Sequence, residues 1–532
     1  MVAEREILGT QSSSASRRRL GAIAGWKAMG LAAVLGAIAG LGFAPFNLVP
    51  AFALGISGLA WLAAEAPRRR SAFAIGWCWG LGHFAVNSYW IAESFLIDAA
   101  RFAWMIPFVL GGLSAYLALY PALAALALRC MRRPLSFAGL AGFAAAWTIA
   151  EWLRGWVLTG YPWDLAAYIW SGNEAMMQSV ALWGSWGLSL VTVFALSLPA
   201  LFVLFDLRAA RGVVIGLAIV IGGLYAGGAW RLANALLTPA PDDANATLIR
   251  IVQPDIAQSL KISSDDRPHQ VETLLRLTIT TPGLQKLKAV IWPESAADYL
   301  LEQEPVLRSA LAQAVPPGGV LITGAPRGEF SDGNLTEIWN SLAAINDQGQ
   351  ILARADKFHL VPLGEYVPLR NIFTFINKLT PGSMNFSPGP GPRTLHLPGL
   401  PALSPIICYE AIFPGAVADD ADRPGMLVNV TNDGWFGTST GPFQHFATAR
   451  FRAVEEGIPL LRAANTGVSA VVDAYGRVDA RSNMMVEAVI DAPLPPSLPE
   501  TPFARFRLLS VVPLIAIALL PQLFGTRNRR VG

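Results

Sequence analysis

Residues 28–64, AMGLAAVLGAIAGLGFAPFNLVPAFALGISGLAWLAA, contain no charged side chain. A helix that crosses the bilayer core needs roughly 17–25 predominantly apolar residues. This stretch is therefore long enough for two membrane-spanning helices, and Pro45, Asn47 and Pro50 mark a turn between them. It decides the fold class of this part of the chain, because buried helices of soluble proteins are normally shorter and amphipathic.

The composition of the whole chain agrees with a membrane protein. Of its 532 residues, 53% are hydrophobic and 14% are charged, against about 25% charged residues in an average soluble domain. These values argue against a wholly soluble protein and against extensive disorder. The formal net charge of +3 gives no indication of nucleic-acid binding.

Further uncharged runs bring the predicted number of transmembrane helices to eight. These runs are Ser71–Ala92, Phe102–Leu128, Pro134–Ala150, Ala175–Phe205, Gly212–Trp230 and Leu508–Gly525. We therefore predict an N-terminal tail at residues 1–20, a membrane domain with seven spans at 21–231, an eighth span at 508–525 and a C-terminal tail at 526–532.

The basic residues predict the orientation of these spans. If the spans alternate, one side of the membrane holds Arg17–Arg19, Arg68–Arg70, Arg129 with Arg132 and Arg133, Arg208 with Arg211, and the arginines at 527, 529 and 530. The junctions on the other side hold only Arg101, Arg154 and Arg231. By the positive-inside rule both termini are cytoplasmic, so the segment between spans seven and eight is predicted to lie outside the cytoplasm.

That segment, residues 242–502, has the mixed polar and apolar texture of a globular domain. Short apolar runs predict strands over Ala246–Val252, Lys288–Trp292, Val320–Thr323, Leu342–Ile345, Leu403–Cys408, Met426–Thr431 and Ala470–Ala474. Helices are predicted over His269–Thr280, Glu304–Ala314 and Phe443–Glu456. Strands that alternate with helices predict a layered α/β domain.

Three motifs in this domain carry reactive groups: WPES at 292–295, DKFHLVPLGE at 356–365 and IICYE at 406–410. A thiol, a carboxylate and an ammonium group together can perform acyl transfer. The thiol attacks, the carboxylate takes its proton, and the ammonium group stabilises the resulting oxyanion. From residue types alone, an inert buried cysteine and solvated Glu and Lys side chains remain open alternatives.

Metal and nucleotide sites have no support in the sequence. The three cysteines form no CxxC pair, and the five histidines show no paired-ligand spacing, so we expect neither a metal centre nor a disulfide framework. No GxGxxG or GxxxxGK[ST] motif occurs in residues 242–502. These absences agree with a reaction that needs no metal or organic cofactor.

Read together, WPES, DKFHLVPLGEYVP at 356–368, CYE at 408–410 and NVTNDGWFG at 429–437 resemble the nitrilase superfamily. That superfamily uses a Glu-Lys-Cys triad in an αββα sandwich. A nitrilase-like domain inserted before a final span resembles one family in particular, the apolipoprotein N-acyltransferases, and EWLRGW at 151–156 with TGYPW at 159–163 resembles its membrane portion. The resemblance implies a multi-pass protein of the bacterial inner membrane, with residues 242–502 on the periplasmic side.

The resemblance also implies roles for individual residues. It makes Glu294 the general base, Lys357 the oxyanion-stabilising cation and Cys408 the nucleophile. Supporting positions are Glu365 and Glu410, which would orient Lys357 or the base, Tyr409, whose backbone N–H is a candidate oxyanion donor, and Asn340 and Trp435, which match positions near the site. Cys78 and Cys130 are interpreted as packing residues.

The implied reaction moves a fatty acyl chain from a membrane phospholipid, through a thioester on Cys408, to the N-terminal α-amino group of the diacylglyceryl-cysteine of an apolipoprotein. Its partners are the phospholipid donor, the diacylated apolipoprotein acceptor and membrane lipid. Two alternatives stay open: a membrane-anchored nitrilase-type amidase, and a transporter with an appended soluble domain. The second is disfavoured because charged residues lie at the span ends and no half is repeated.

The stretch between Glu365 and Cys408 has two interpretations, one of which is an arm that admits lipid to the site. Apolar residues recur there at helical spacing, namely Leu369, Ile372, Phe373, Ile376 and Leu379, and a Gly- and Pro-rich loop with Met384 and Phe386 follows over 381–392. One interpretation is a helix packed on its own domain. The other is an arm whose apolar face, including Phe373 and Phe386, enters the outer leaflet and admits lipid.

Overall fold

The computed structural model describes residues 23–524 except 205–206, 244, 264, 369–377 and 381–383. Apolar helices make up its N-terminal part. The longer ones are Trp26–Gly40, Val49–Glu65, Arg69–Asn87, Ile106–Leu117, Leu119–Cys130, Phe137–Arg154, Val180–Ser197 and Leu207–Ala233. Shorter helices lie at Ile91–Leu96, Ala99–Phe102 and Glu174–Met177, and Pro502–Phe506 and Val512–Phe524 follow near the C-terminus.

Helices overlap each of the predicted spans. Among the described residues, four helical stretches are long and apolar enough to cross a membrane: Ala99–Cys130, Val180–Phe202, Ala210–Ala233 and Pro502–Leu523. Two shorter apolar helices, Trp26–Gly40 and Val49–Glu65, lie in the stretch predicted as the first pair of spans. The chain is a membrane protein by these helices, and the count of eight spans stays a prediction.

Small residues let the first helices pack closely. A methyl group at Gly36 would lie 1.9 Å from the carbonyl oxygen of Trp79, and one at Gly82 would lie 1.9 Å from that of Ala33. Helices Trp26–Gly40 and Arg69–Asn87 therefore meet backbone to backbone. Such contacts are typical of helix packing in membranes, where small residues permit a close approach.

Residues 248–493 form two β-sheets. The strands are β1 Leu248–Gln253, β2 Ala289–Ile291, β3 Val320–Ser331, β4 Asn334–Ile345, β5 Ile351–Asp356, β6 Leu403–Ile407, β7 Met426–Thr431, β8 Leu460–Ala464, β9 Ala470–Val472, β10 Val478–Arg481 and β11 Ala488–Pro493. The strand orders are β11-β1-β2-β3-β4-β5 and β10-β9-β8-β7-β6. Strands β1, β2 and β3 run parallel, as do β6, β7 and β8.

The two sheets face each other across an apolar core. Ile251 and Ile322 from the first sheet pack there with Ile407 and Val428 from the second. Helices Arg267–Thr280 and Pro305–Leu311 cover the outer face of the first sheet, and helix Gly441–Glu456 covers that of the second. The predicted layered α/β domain is thus confirmed, with its layers in the order αββα.

Helix Gly441–Glu456 also joins this sandwich to the membrane helices. Its Phe451 and Val454 belong to the apolar core of the helical part. The Glu455 carboxylate accepts hydrogen bonds from the backbone N–H (2.7 Å) and the hydroxyl (2.6 Å) of Ser185. Trp163 Nε1 donates to Gln444 Oε1 at 2.8 Å. The sandwich is therefore seated on the membrane helices through one of its own outer helices.

Candidate active site

Cys408 stands at a sharp turn between β6 and a short 3-10 helix, Cys408–Ile412. Its backbone φ is 51°, which a residue with a Cβ atom adopts only where the surroundings enforce it. The residue is buried and lines a cavity. A strained strand-to-helix turn is a known way to project a nucleophile from the end of a sheet.

Glu294 and Lys357 come from ends of strands in the opposite sheet, Glu294 shortly after β2 and Lys357 directly after β5. Lys357 Nζ lies 3.4 Å from Glu294 Oε1 and 3.0 Å from Glu365 Oε1. All three side chains are buried. The two carboxylates compensate a buried ammonium group, which would otherwise be strongly unfavourable away from water.

Amide groups fix the orientation of both carboxylates. Asn340 Nδ2 donates to Glu294 Oε1 and to Glu365 Oε1, each at 2.8 Å. Glu294 Oε2 accepts from the backbone N–H of Asn432 at 2.9 Å, and Glu365 Oε2 accepts from that of Val361 at 2.8 Å. Asn340 therefore lies within the predicted site and links its two acids.

The electrostatics favour a neutral thiol beside a charged ammonium group. Burial raises the pKa of Cys408, the Glu294 carboxylate raises it further, and Lys357 only partly opposes this. Burial lowers the pKa of Lys357, but the carboxylates of Glu365 and Glu294 outweigh burial and raise it. The thiol therefore needs a base to become a nucleophile.

Glu410 contacts the residues around the site through hydrogen bonds from backbone N–H groups. Its carboxylate accepts from the N–H of Ile407 and of Phe358, both at 2.7 Å, and from that of His359 at 3.3 Å. Burial raises its pKa to about 7, against the opposing effect of these amides and of Lys357. It thus ties the Cys408 turn to the two residues that follow Lys357.

The remaining predicted residues lie around the same cavity. The Tyr409 hydroxyl donates to the carbonyl oxygen of Gly160, in the helical part, at 2.9 Å. Trp435 and Phe386 line the cavity, and the Phe386 ring centre lies 4.8 Å from the Lys378 ammonium group. Phe373 lies outside the described residues.

The cavity has a volume of about 990 Å³ and two kinds of wall. The apolar wall includes Phe95, Phe108, Val109, Leu113, Tyr116 and Leu158, all from the helical part. The polar wall includes Gln258, Lys261, Arg267, Asp298 and Glu304, from the sandwich. Cys408, Glu294 and Lys357 also line it, so an amphipathic ligand could reach the thiol.

A buried network behind Cys408 was missed by the sequence analysis. His445 Nε2 lies 3.1 Å from the Cys408 carbonyl oxygen, and its Nδ1 lies 2.9 Å from Asp433 Oδ1. Arg462 Nη2 donates to Asp433 Oδ2 at 2.7 Å. Although burial opposes it, Arg462 and then His445 lower the pKa of Asp433 to about 2. The only sequence signal was the NDGWFG segment, which contains Asp433.

A metal ion has no evident place in the chain as described. Within those residues, no group of three or more His, Cys, Asp or Glu side chains is arranged to hold one.

Comparisons with known proteins cover nearly the whole chain. The families described as apolipoprotein N-acyltransferase N-terminal domain and carbon-nitrogen hydrolase match residues 35–198 and 251–501. The apolipoprotein N-acyltransferase of Rhodopseudomonas palustris is 39% identical over 94% of this chain and 96% of its own, and that of Allorhizobium ampelinum is 39% identical over 89% and 91%. A solved amidase from Nesterenkonia sp. matches 49% of this chain and 93% of its own, at 20% identity and a TM-score of 0.35.

Proposed function

The chain belongs to the apolipoprotein N-acyltransferase family, and on this premise we propose that Cys408, Glu294 and Lys357 are its catalytic triad. As a member it is an acyltransferase of lipoprotein biosynthesis. We infer further that the acyl donor is a membrane phospholipid and that the acyl group passes through a thioester on Cys408. The observation that carries this proposal is the cavity of about 990 Å³, which holds all three groups and continues along an apolar wall of membrane helices.

In the first half-reaction Glu294 takes the proton of the Cys408 thiol, and the sulfur attacks the ester carbonyl of the phospholipid. The carbonyl oxygen becomes an oxyanion, which the Lys357 ammonium group and the backbone N–H of Tyr409 stabilise. The tetrahedral intermediate then breaks its C–O bond. The departing alkoxide receives the proton from Glu294, so a lysophospholipid leaves and a neutral thioester remains on Cys408.

In the second half-reaction the α-amino group of the diacylglyceryl-cysteine attacks the thioester. Glu294 accepts a proton from the attacking nitrogen, and Lys357 again faces the oxyanion. The C–S bond breaks, the amide product leaves, and the thiolate takes the proton back from Glu294. The enzyme returns to its starting state, as a ping-pong scheme requires.

Lys357 suits the role of stabilising the oxyanion because nearby carboxylates keep its side chain in the charged ammonium form before the substrate binds. It pairs with Glu365 and Glu294 at 3.0 and 3.4 Å, and Asn340 holds both acids in place. Preorganised charge of this kind needs little rearrangement as the transition state forms, which is the main advantage of an enzyme site over water.

We also propose that the chain crosses the bacterial inner membrane eight times, with both termini in the cytoplasm and the sandwich on the periplasmic side. The apolar cavity wall supports this arrangement, because the helices that form it include Ala99–Cys130, one of the stretches long enough to cross a membrane. Lipid at the outer leaflet would then lie beside the thiol.

The experiment that tests the triad is acyl capture from a labelled phospholipid. Wild-type enzyme should retain a hydroxylamine-sensitive label, whereas Cys408→Ala should retain none and should not acylate a diacylated lipopeptide. Cys78→Ala and Cys130→Ala are matched controls and should behave like wild type. A labelled thioester on Cys408→Ala would disprove the assignment, and hydrolysis of simple amides without lipopeptide acylation would favour the amidase alternative.

A further inference from the structure

The donor lipid brings its own charge into the cavity. In a glycerophospholipid the phosphate diester and the acyl esters share one glycerol unit, so they are only a few bonds apart. When an ester carbonyl reaches Cys408, the phosphate therefore lies only a few bonds away from the thiol. Phosphate is usually recognised by Arg or Lys side chains through charge-assisted hydrogen bonds.

Among the described residues, three Lys or Arg side chains line this cavity: Lys357, Lys261 and Arg267. Lys357 is only 1% exposed and already contacts two carboxylates. Its charge is therefore balanced. Lys261 and Arg267 remain as the positive groups that can meet a phosphate.

Lys261 lies close to the reacting groups. It ends the short helix Gln258–Lys261, and its Nζ donates to the carbonyl oxygen of Ser295, the neighbour of Glu294, at 2.9 Å. This bond uses one of the three N–H donors of an ammonium group. Burial lowers the pKa of Lys261 to about 8, although Asp298 and Glu294 oppose that shift, so an arriving anion would strengthen its charged form.

Arg267 supplies the second positive group. It begins helix Arg267–Thr280, its Nε lies 2.9 Å from Asp298 Oδ2, and its side chain remains 39% exposed. Asp298 thus forms an ion pair with the guanidinium group, although Nε makes no hydrogen bond within the described part of the chain. A guanidinium group has five N–H donors and can still engage a phosphate with its terminal nitrogens.

We infer that Lys261 and Arg267 form a subsite for the phosphate diester of the donor phospholipid, opposite the apolar wall that receives its acyl chain. The inference rests on the proposed function and deepens it, because it gives the enzyme a reason to select phospholipids over neutral lipids with the same ester. The ligand is the phosphate of a lipid, not free phosphate, since only the lipid also fills the apolar wall.

The test compares two donors that differ only in the headgroup. Full-length enzyme in nanodiscs is given either a labelled phosphatidylglycerol or the diacylglycerol with the same acyl chains, and acylation of Cys408 is followed. Wild type should prefer the phospholipid. Lys261→Gln and Arg267→Gln should each lower kcat/KM for the phospholipid by about tenfold, as for the loss of one charge-assisted hydrogen bond, and leave the diacylglycerol reaction within about twofold.

Control variants show whether a loss of activity comes from the missing positive charge or from a disturbed turn at Ser295. Lys261→Arg should keep most of the phospholipid preference, and Lys286→Gln, at an exposed lysine, should behave like wild type. An equal loss with both donors would mean that Lys261 acts only through the Ser295 turn, and would overturn the subsite. Because Arg267 pairs with Asp298 and not with the Ser295 carbonyl oxygen that Lys261 contacts, Arg267→Gln keeps the test decisive if Lys261→Gln folds poorly.

The remaining outcomes separate the subsite from the proposed function. If wild type acylates Cys408 equally well from both donors, the subsite is wrong and the triad stands. If neither donor acylates Cys408, the proposed function fails, and the subsite fails with it. Inhibition of wild type by millimolar inorganic phosphate that disappears in Arg267→Gln would instead assign the site to free phosphate.

Discussion

At the scale of single residues, Glu294 affects Cys408 in two opposed ways. As a nearby negative charge it helps to raise the pKa of the thiol. In the proposed mechanism it is also the base that removes the thiol proton. Burial and this carboxylate together therefore keep the thiol neutral at rest. In the proposed mechanism the carboxylate then activates the thiol when an ester is present, so that a bare thiolate is not exposed between turnovers.

These two effects predict contrasting responses to Glu294→Gln. Removal of the negative charge lowers the thiol pKa, so the pH midpoint for alkylation of Cys408 by iodoacetamide should move to lower pH. Acylation by phospholipid should fall by at least about 100-fold, the usual contribution of a general base. Both are measured by mass spectrometry of the Cys408 peptide across a pH series.

The control for this prediction is Glu272→Gln, whose side chain is 75% exposed, and which should change neither quantity. An alkylation midpoint that stays fixed or rises would show that Glu294 does not influence the thiol electrostatically. Undiminished acylation would remove Glu294 from the mechanism.

His445 is predicted to be a positioning residue. It meets the Cys408 carbonyl oxygen at 3.1 Å and so supports a backbone with a φ of 51°. His445→Ala should lower kcat for Cys408 acylation by about tenfold, equivalent to one hydrogen bond, while KM for phospholipid changes little. Steady-state kinetics with His269→Ala, an exposed histidine, as the control would check this. A rise in KM with kcat unchanged would contradict it.

At the scale of elements, the sequence predicted the mainly apolar strands better than the short strands that carry charged residues. Strands β1, β2, β6 and β7 were predicted within two residues at their ends, because most of their residues are apolar. Strands β5 and β10 are short, mostly alternate half-buried and exposed residues, and carry charges. Hydrophobic patterning alone does not separate such segments from loops.

A buried charge explains the omission of β8. Strand β8 reads LLRAA, and its Arg462 looks like a surface residue, yet the side chain is fully buried against Asn429 and Asp433. Its partner Asp433 lies 29 positions away. The triad was predicted because its motifs resemble a known family, whereas this network depends on distances that only the folded chain supplies.

The segment after Glu365 connects the sandwich to the membrane helices. Leu379 packs against Phe102 and Met105 of the helical part, and its backbone N–H donates to the Leu363 carbonyl oxygen at 2.9 Å. Phe386, a little further on, lines the cavity. The amphipathic stripe predicted from Leu369 to Leu379 lies outside the described residues over 369–377, so the arm stays a prediction.

The arm predicts a selective defect in Phe386→Ser. Loss of an apolar side chain from the cavity wall should slow acylation of Cys408 by phospholipid about tenfold, while thermal stability stays nearly unchanged. Val306→Ser, at a residue 82% exposed, is the control. A large fall in melting temperature with full activity of the remaining folded enzyme would mean that Phe386 is simply a core residue.

At the scale of the whole molecule, the proposed topology can be tested with fusions. A reporter active only outside the cytoplasm should work when fused after Pro241 and fail after Arg70, Arg133 or Arg530, because the basic clusters at those last positions favour the cytoplasm. Activity at Arg133 with silence at Pro241 would invert the orientation and move the proposed acyl transfer to the inside.

Because helix Gly441–Glu456 packs on two sides, it limits how the sandwich can be separated from the membrane helices or joined to them. One of its faces covers the second sheet and another meets the membrane helices, where Arg452 and Glu455 are fully buried. If proteolysis released the sandwich, this ion pair and its apolar neighbours would become exposed to water, and the exposed apolar patch would favour aggregation. We therefore expect no stable secreted form of the sandwich alone. We also expect that a gene fusion between a soluble hydrolase and a membrane anchor required changes to the outward-facing residues of this helix.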